Sequence, residues 1–244
     1  MKIEIVKYNP DWPIRFGQIR QELQTILAKL NPTIEHIGST AVPNLSAKPI
    51  IDIAIGVEKL EDLDKAVEPM VQNNFIYYEV YNTIMPLRRF FIGLNDKKDN
   101  EKFNSIYSTK ENLPHEKIDP YKLCHIHIWE HNSKEWIRHI AFRDYLIEHP
   151  SIKTQYENLK KQLSLKNWSS GNEYNSGKND FIKTEEAKAV LWCNKSTSNL
   201  IKDGEAIEEE TLLNILKHSE EEIESNKPLS MEDVKKQIEN WKKR

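Results

Sequence analysis

Apolar residues recur with two different periods along the chain, and each period predicts one kind of element. An apolar side chain returns every third or fourth position from Phe16 to Leu30, which predicts a helix. Asp11 and Pro13 suit the first turn of this helix, because Asp caps free amides and Pro needs no amide partner there. Residues 3–7 alternate between apolar and polar, which predicts a short strand.

The same patterns predict a mixed α/β (α+β) unit, with strands flanked by helices, over residues 1–194. Further strands are predicted over residues 33–37, 49–57, 75–81, 89–94 and 124–129. Further helices are predicted over residues 60–73, 134–148, 150–163 and 179–193. The polar segment 95–122, which contains Pro114 and Pro120, predicts a long loop of the kind that forms lids and flaps.

Composition and charge separate the last fifty residues from the rest of the chain. The chain has 244 residues, 38% of them hydrophobic and 30% charged, which is enough apolar material for a core. Residues 195–244 carry nine Lys and Arg against twelve Asp and Glu, so they hold the whole formal net charge of -3. We therefore expect one domain over 1–194 and an acidic helical extension over 195–244. No strong nucleic-acid signal exists, because the chain has no cationic bias.

The two cysteines and the start of the chain favour a reduced, cytoplasmic protein. Cys124 and Cys193 are far apart and have neither a pairing pattern nor metal-type spacing. The first residues are interrupted by charge too often for a signal peptide, and no apolar run approaches the roughly 18 residues of a membrane helix. We expect no membrane association.

The segment Gly38-Ser39-Thr40 and the later Asp52 carry the main candidate chemistry. Glycine lets the backbone approach a phosphate closely, and the amide and hydroxyl of Ser39 can donate to phosphate oxygens. Asp52 is the only charge in the apolar run 49–57, and a carboxylate there can hold a magnesium ion that bridges phosphates. The alternatives are a simple tight turn for the first feature and a hydrogen-bond partner of a loop amide for Asp52.

Histidine, lysine and arginine side chains extend this candidate site. His125 and His127 lie two residues apart on a predicted strand, so they share a face and could hold a metal or contact phosphate together. Lys48, Arg88 and Arg89 stand at the starts of predicted strands and could reach a triphosphate. The alternatives are surface histidines, a solvated loop lysine and a surface ion pair for the two arginines.

A longer pattern resembles a known family. The stretch EHIGSTAVPNLSAKPIIDI looks like the signature of the GrpB family, which is placed in the nucleotidyltransferase superfamily. Residues 88–91 resemble the paired arginines of that family, CHIHIW resembles its His-x-His strand, and residues 139–163 with the later YNSGKNDFI resemble its helical C-terminal part. The resemblance covers about residues 1–192. It implies a nucleotidyltransferase-like mixed sheet flanked by helices, and it suggests that Tyr174, Lys178 and Phe181 fold back over the site.

The chain departs from the superfamily pattern at one position. Active two-metal nucleotidyltransferases carry a second carboxylate two residues after the first, and this chain has Ala54 there. Glu79 is the best candidate for a replacement acid. Two functions therefore stay open. One is nucleotidyl transfer from a nucleotide triphosphate to an unknown acceptor with Mg²⁺ or Mn²⁺, and the other is a non-catalytic module that binds a nucleotide, another phosphorylated small molecule or an anion.

For the transfer hypothesis the expected roles follow from these positions. Asp52, His125 and His127 would be catalytic, with Asp52 and His127 as metal ligands. The phosphate-binding residues would be Gly38, Ser39, Thr40, Lys48, Arg88 and Arg89. No organic cofactor is indicated.

The acidic extension predicts two helices, over residues 209–225 and 230–243. Val234, Ile238 and Trp241 form only a narrow apolar stripe on the second helix, so the pair needs a partner surface. The segment weakly resembles the partner-binding tails of bacterial toxin-antitoxin antitoxins. Residues 200–244 are expected either to bind a protein partner or to pack on the main domain.

Overall fold

The computed structural model describes residues 2–198, which form five strands and seven α-helices around one mixed sheet. The strands are β1 (Thr33–Ile37), β2 (Ile51–Val57), β3 (Ile76–Tyr77), β4 (Arg89–Leu94) and β5 (Lys122–Glu130). The helices are α1 (Asp11–Ile26), α2 (Asp62–Lys65), α3 (Val67–Gln72), α4 (Lys134–Glu148), α5 (Pro150–Ser164), α6 (Gly171–Ser176) and α7 (Asn179–Ser198). The predicted helices over 209–225 and 230–243, and the role expected for residues 200–244, lie outside the described residues.

The sheet has the order β1-β2-β5-β4-β3. β5 is the central strand and β2 runs parallel beside it, while the β1–β2, β4–β5 and β3–β4 pairs are antiparallel. The register places Asp52 opposite Ile37 on one side and opposite His125 on the other. Three segments that are far apart in sequence therefore meet at the start of β2.

One face of the sheet carries the main hydrophobic core. Alternate residues of β2 and β5 point to this face, including Ile53 and Ile126, and α1, α2 and α3 cover it with Trp12 and other apolar side chains. The exposed and buried positions alternate in β5, because successive side chains of a strand point to opposite faces. Asp52, His125 and His127 consequently share the second face.

Helix α4 covers part of the second face, and α7 packs against α4. Trp136 of α4 meets Ile37, Ala54 and Trp129 in a small buried cluster, which closes the end of the sheet beyond Ala54. Arg143 of α4 donates to Glu35 of β1 and to its own neighbour Asp144. The ion pair between Arg143 and Glu35 ties α4 to β1.

Most predicted elements are confirmed, and three differ for identifiable reasons. Residues 3–7 form no strand, because only Val6 pairs, through one bridge to Ala47. The helix predicted over 60–73 is divided into α2 and α3, and Pro69 lies in the first turn of α3, where no amide donor is required. The strand predicted over 75–81 ends at Tyr77, and a 3₁₀ segment follows.

The segment predicted as a loop over 95–122 contains two 3₁₀ turns, Lys97–Lys102 and His115–Tyr121, and otherwise lacks regular structure until β5 begins. Among the helices of residues 2–198, none combines the length and the apolar character that crossing a membrane requires.

Candidate functional site

The carboxylate of Asp52 packs directly against Gly38. Gly38 follows β1 and has φ 70° and ψ -170°, a conformation that L residues with a side chain rarely adopt. A Cβ atom at this position would lie 2.4 Å from Oδ2 of Asp52. Gly38 was expected to admit a phosphate, and its first contact is instead the carboxylate of Asp52. The glycine is required here both by backbone conformation and by space.

Asp52 and His125 form a pair at the edge of this turn. The Oδ1 atom of Asp52 lies 3.2 Å from Nδ1 of His125. Their side chains are 33% and 25% exposed, so both groups are accessible to a ligand. The pairing follows from the parallel register of β2 and β5, which sets the two residues side by side. The structure therefore joins Asp52 to His125, one of the two histidines predicted for the site.

The turn after Gly38 offers Ser39 but not the hydroxyl of Thr40. Ser39–Ala41 form one 3₁₀ turn, in which Thr40 is 1% exposed and its hydroxyl bonds Nε2 of His36 at 2.9 Å. His36 stacks on Phe16, and burial lowers the pKa of His36 to about 4, so this ring is neutral. His36 therefore holds the Thr40 hydroxyl.

Ser39 interacts with two buried side chains of α5. The Nζ atom of Lys160 lies 3.1 Å from the Ser39 hydroxyl, and it also donates to the backbone carbonyl of Ser46. The Tyr156 side chain, one helical turn before Lys160, interacts with Ser39 as well. Lys160 is only 2% exposed, and burial together with the nearby Lys178 lowers its pKa to about 7.

Two further lysines approach the same point from other segments. The ammonium groups of Lys48 and Lys178 lie 5.7 and 4.7 Å from the ring centre of Tyr174. Burial lowers the pKa of both, that of Lys178 to about 8, while the charge of Asp52 opposes the shift in each case. Lys178 also interacts with Lys48 and Lys160. Lys48 and Lys178 thus face Asp52, while Lys160 faces Glu157.

The hydroxyl of Tyr174 has no protein hydrogen-bond partner among the described residues, although the side chain is only 1% exposed. Burial raises the pKa of Tyr174 to about 12, so the phenol keeps its proton and remains a donor. Tyr174 interacts electrostatically with Tyr156, which places it beside the Ser39 cluster. A buried donor without a partner usually costs about 1–3 kcal/mol, so a ligand group that accepts from it would recover that cost.

The structure does not bring His127, Arg88 and Arg89 to Asp52 as predicted. His127 lies two residues along β5 from His125, about 7 Å away, and its Nδ1 atom faces Arg88 at 3.4 Å. Arg89 points to the opposite face, where it is 6% exposed and bonds Asp64 at 2.6 Å. Adjacent strand residues alternate between faces, so a pair of arginines there cannot serve one site. The histidine beside Asp52 is therefore His125, and not His127, which was predicted as the second metal ligand.

Neither Ala54 nor Glu79 supplies the second carboxylate that a two-metal clamp needs. Ala54 is fully buried against Trp129 and Trp136, and Glu79 lies on an exposed 3₁₀ segment where it accepts from Ser108. Within residues 2–198, no group of three or more His, Cys, Asp or Glu side chains could hold a metal ion. Asp52 and His125 do fit one ion, because two ligands of an octahedral ion lie about 3 Å apart.

Lys160 and Tyr156 were not predicted as site residues, although the sequence contains a signal for them. Tyr156 and Lys160 lie four residues apart, and Leu163 follows three residues later, so Lys160 falls on the apolar face of α5. A lysine at a core-facing position of an amphipathic helix is unusual and marks a buried charge. Lys48 and Lys178 were named from the sequence, and the structure gathers both at the site.

Comparison with known proteins identifies the family of this chain. The model of the family described as GrpB protein matches residues 2–188. The chain therefore belongs to the GrpB family, and membership is consistent with the nucleotidyltransferase superfamily. A crystal structure of the conserved protein GrpB from Enterococcus faecalis has a TM-score of 0.61 and 33% identity, and the match covers 78% of this chain and 99% of that one.

Curated relatives include proteins of different lengths. The UPF0157 protein YqkA of Bacillus subtilis is 34% identical over 191 residues, which cover 78% of this chain and 48% of YqkA. The chain thus spans about half the length of that relative. The glutamate-rich protein GrpB of Alkalihalophilus pseudofirmus is 30% identical, with 74% of this chain and 92% of that protein covered. A dephospho-CoA kinase of Mycobacterium tuberculosis is 26% identical over 64% of this chain and 38% of the kinase.

Replacing Gly38 with Ala is expected to lower the free energy of unfolding by about 3 kcal/mol, because the new Cβ strains the backbone and meets Asp52. Gly17→Ala is the control, since nothing lies within 4 Å of a Cβ at this helical position. The control should gain about 0.5–1 kcal/mol. Urea unfolding of both variants measures the difference, and equal stabilities would show that Gly38 is not constrained.

Replacing Tyr174 with Phe is expected to leave the free energy of unfolding unchanged or to raise it by about 1 kcal/mol, because the lost hydroxyl has no protein partner. Tyr156→Phe should instead lower it by about 1 kcal/mol, since the interaction of its hydroxyl with Ser39 is lost. Thermal and urea unfolding of the two variants distinguish these outcomes. A Tyr174→Phe variant less stable than Tyr156→Phe would contradict the assignment of the unpartnered hydroxyl.

Proposed function

We propose that the chain binds the phosphate groups of a nucleotide or of another phosphorylated small molecule at the Ser39 turn. The observation that carries this proposal is a cluster of lysines in which Lys160 donates to Ser39 and Lys178 interacts with both Lys160 and Lys48. Buried cations that lower one another's pKa are unfavourable unless an anion joins them. A phosphate supplies both the charge and the acceptor atoms that these donors need.

The donors around the turn match a phosphate in number as well as in charge. Ser39 and Tyr174 contribute hydroxyl groups, and Lys48 and Lys178 contribute ammonium groups at the ring of Tyr174. Each ammonium can donate three hydrogen bonds. Asp52 faces the same group of donors and repels a second phosphate charge, so it orients the ligand rather than adding affinity.

The comparison with the mycobacterial protein supports a phosphorylated ligand. That protein is named a dephospho-CoA kinase, and kinases act on phosphoryl groups. A region similar to this chain therefore occurs within a protein whose name refers to phosphoryl transfer. Under this proposal the present chain supplies binding, and its ligand carries at least one terminal phosphate.

A second candidate function, nucleotidyl transfer with Mg²⁺ or Mn²⁺, is favoured by the Asp52–His125 pair. Oδ1 and Nδ1 at 3.2 Å are spaced as two ligands of one ion, and the remaining positions would be taken by phosphate oxygens of a nucleotide triphosphate. Such an ion neutralises phosphate charge during transfer. The protein's own part is positioning, through Ser39 and the lysines.

Replacing Lys160 with Met is expected to weaken the binding of inorganic phosphate or ATP about ten- to a hundredfold, because a charge-assisted hydrogen bond is worth about 1.5–3 kcal/mol. The matched control is Lys161→Met, which removes a half-exposed lysine paired with Glu157 on the same helix. Isothermal titration of both variants gives the affinities. Equal affinities for the two variants would overturn the phosphate site.

The affinity of the wild-type protein for phosphate is expected to fall as the pH rises from 6.5 to about 9. The lysines that face the ligand lose protons across this range, because the pKa of Lys160 is about 7 and that of Lys178 about 8. Glu157, Lys161, Lys48 and Asp52 are the charged groups that face these two lysines. Lys160→Met should flatten the profile, whereas Lys161→Met should retain it.

Replacing Asp52 with Asn separates the two candidate functions. Without a divalent ion, the variant should bind ATP as tightly as the wild type or more tightly, because a repulsive charge is lost. With Mg²⁺ or Mn²⁺, a metal-dependent transferase predicts at least tenfold weaker binding and no product from labelled ATP. Saturable binding without turnover in the wild type would favour the binding module. Failure of either ion to alter binding by wild type or variant would reject a metal role for Asp52.

A further inference from the structure

A second cluster lies on the same face of the sheet, beyond the Asp52–His125 pair. Arg88 stands directly before β4, and the register of β4 and β5 places it near His127 and Trp129. The NH1 atom of Arg88 lies 3.4 Å from Nδ1 of His127, and its guanidinium carbon lies 5.3 Å from the ring centre of Phe90. Arg88 and His127 are both partly exposed, so the cluster is open to a ligand.

Arg88 differs from the other arginines that are not fully exposed. Arg89 bonds Asp64, Arg138 bonds Glu135 and Glu186, and Arg143 bonds Glu35 and Asp144. Among the described residues, no carboxylate lies within 4.0 Å of Arg88, and His127 accepts its one side-chain hydrogen bond. A guanidinium has five N–H donors, so most of those of Arg88 remain available in the cluster.

The histidines of the cluster present fixed donors and acceptors. Burial lowers the pKa of His127 well below its usual range and that of His139 to about 4, so both rings are neutral. Because Nδ1 of His127 accepts from Arg88, Nε2 of His127 carries the proton and can donate. His139 donates from Nδ1 to the carbonyl of Glu135 at 2.7 Å. Its Nε2 is therefore an acceptor.

Flat rings form the walls of the cluster. His127 stacks on Trp129 with the ring planes 6° apart and the centres separated by 5.1 Å. His139 lies 4.6 Å from Trp129, and Phe90 lies 5.0 Å from His127. A planar group that carries a negative charge would find apolar faces and a planar donor together here.

The charged side chains beside the cluster favour a ligand with one negative charge over a ligand with two. Glu135 and Glu186 both bond Arg138, and this trio keeps one net negative charge beside the cluster. The charge of Glu135 also acts on Arg88, without contact between the two side chains. This negative charge repels a dianionic phosphate about twice as strongly as it repels a carboxylate. A carboxylate also matches the fork geometry of a guanidinium.

We propose that the free N–H groups of Arg88 bind the carboxylate of a small organic acid, in a subsite next to Asp52 and His125. The proposal does not depend on the phosphate site, because no lysine of that site contributes to the cluster. His127 holds the guanidinium in place through Nδ1, while its Nε2–H group points away from Arg88. If both sites are occupied, the carboxylate and the phosphate lie on opposite sides of the Asp52–His125 pair.

The test is a titration of the full chain, labelled with ¹⁵N, with sodium benzoate, sodium acetate and inorganic phosphate at constant ionic strength. Benzoate should produce saturable shifts of the Arg88 Nε–H and His127 Nε2–H resonances, and benzoate should bind more tightly than acetate because of the aromatic walls. Arg88→Gln should weaken benzoate binding at least tenfold as read at His127, while Arg15→Gln, an exposed arginine of α1, should leave it unchanged.

A second Arg88 variant and a phosphate titration complete the test. Arg88→Lys retains the charge but not the fork, and it should also weaken benzoate binding, so a folding defect of Arg88→Gln would not decide the outcome. Inorganic phosphate should shift resonances at Ser39 equally in wild type and Arg88→Gln, which separates the two sites. The proposal is overturned if no carboxylate shifts His127 saturably, if Arg88→Gln and Arg88→Lys both bind benzoate like the wild type, or if phosphate competes for Arg88 more tightly than benzoate.

Discussion

The contact between the Asp52 carboxylate and Gly38 is the constraint on which the rest of the site depends. It exists because the antiparallel register of β1 and β2 sets Asp52 beside the last residue of β1. The absence of a side chain at Gly38 lets the chain turn immediately, and the turn points Ser39 toward α5. The parallel register on the other side of β2 then supplies His125. One strand position thus fixes both a turn and a pair of polar partners.

The polar groups of this sheet face are divided by charge. Cations from three separate segments gather on the Ser39 side of Asp52, and on the other side Arg88 stands among neutral rings. The separation arises from the strand spacing, because each step of two residues along β5 brings a new side chain to the face. The two proposed anion sites therefore differ in character, and Asp52 lies between them.

The sequence predicted much of this fold because strong local signals marked it. β1, β4 and α4 have the predicted limits, and Asp52 was singled out as the lone charge of an apolar strand. The site was predicted less well, because its members depend on register and on helix docking. His125 and His127 share a face equally, and only the pairing with β2 selects His125. Arg88 and Arg89 are alike in sequence, yet strand alternation sends them to opposite faces. Lys160 required knowledge of where α5 docks.

The pairing of β2 with β5 has a consequence for folding. Asp52 and His125 are separated by 73 residues, and Ser39 and Lys160 by 121, so each contact closes a long loop. Such contacts are typical of slowly folding topologies. A partly folded chain in which α5 has not docked lacks Lys160 and Tyr156, and with them part of the proposed phosphate site. Ligand binding would therefore act as a selective trap for the completed domain, and it would slow degradation by removing the open population that proteases cleave.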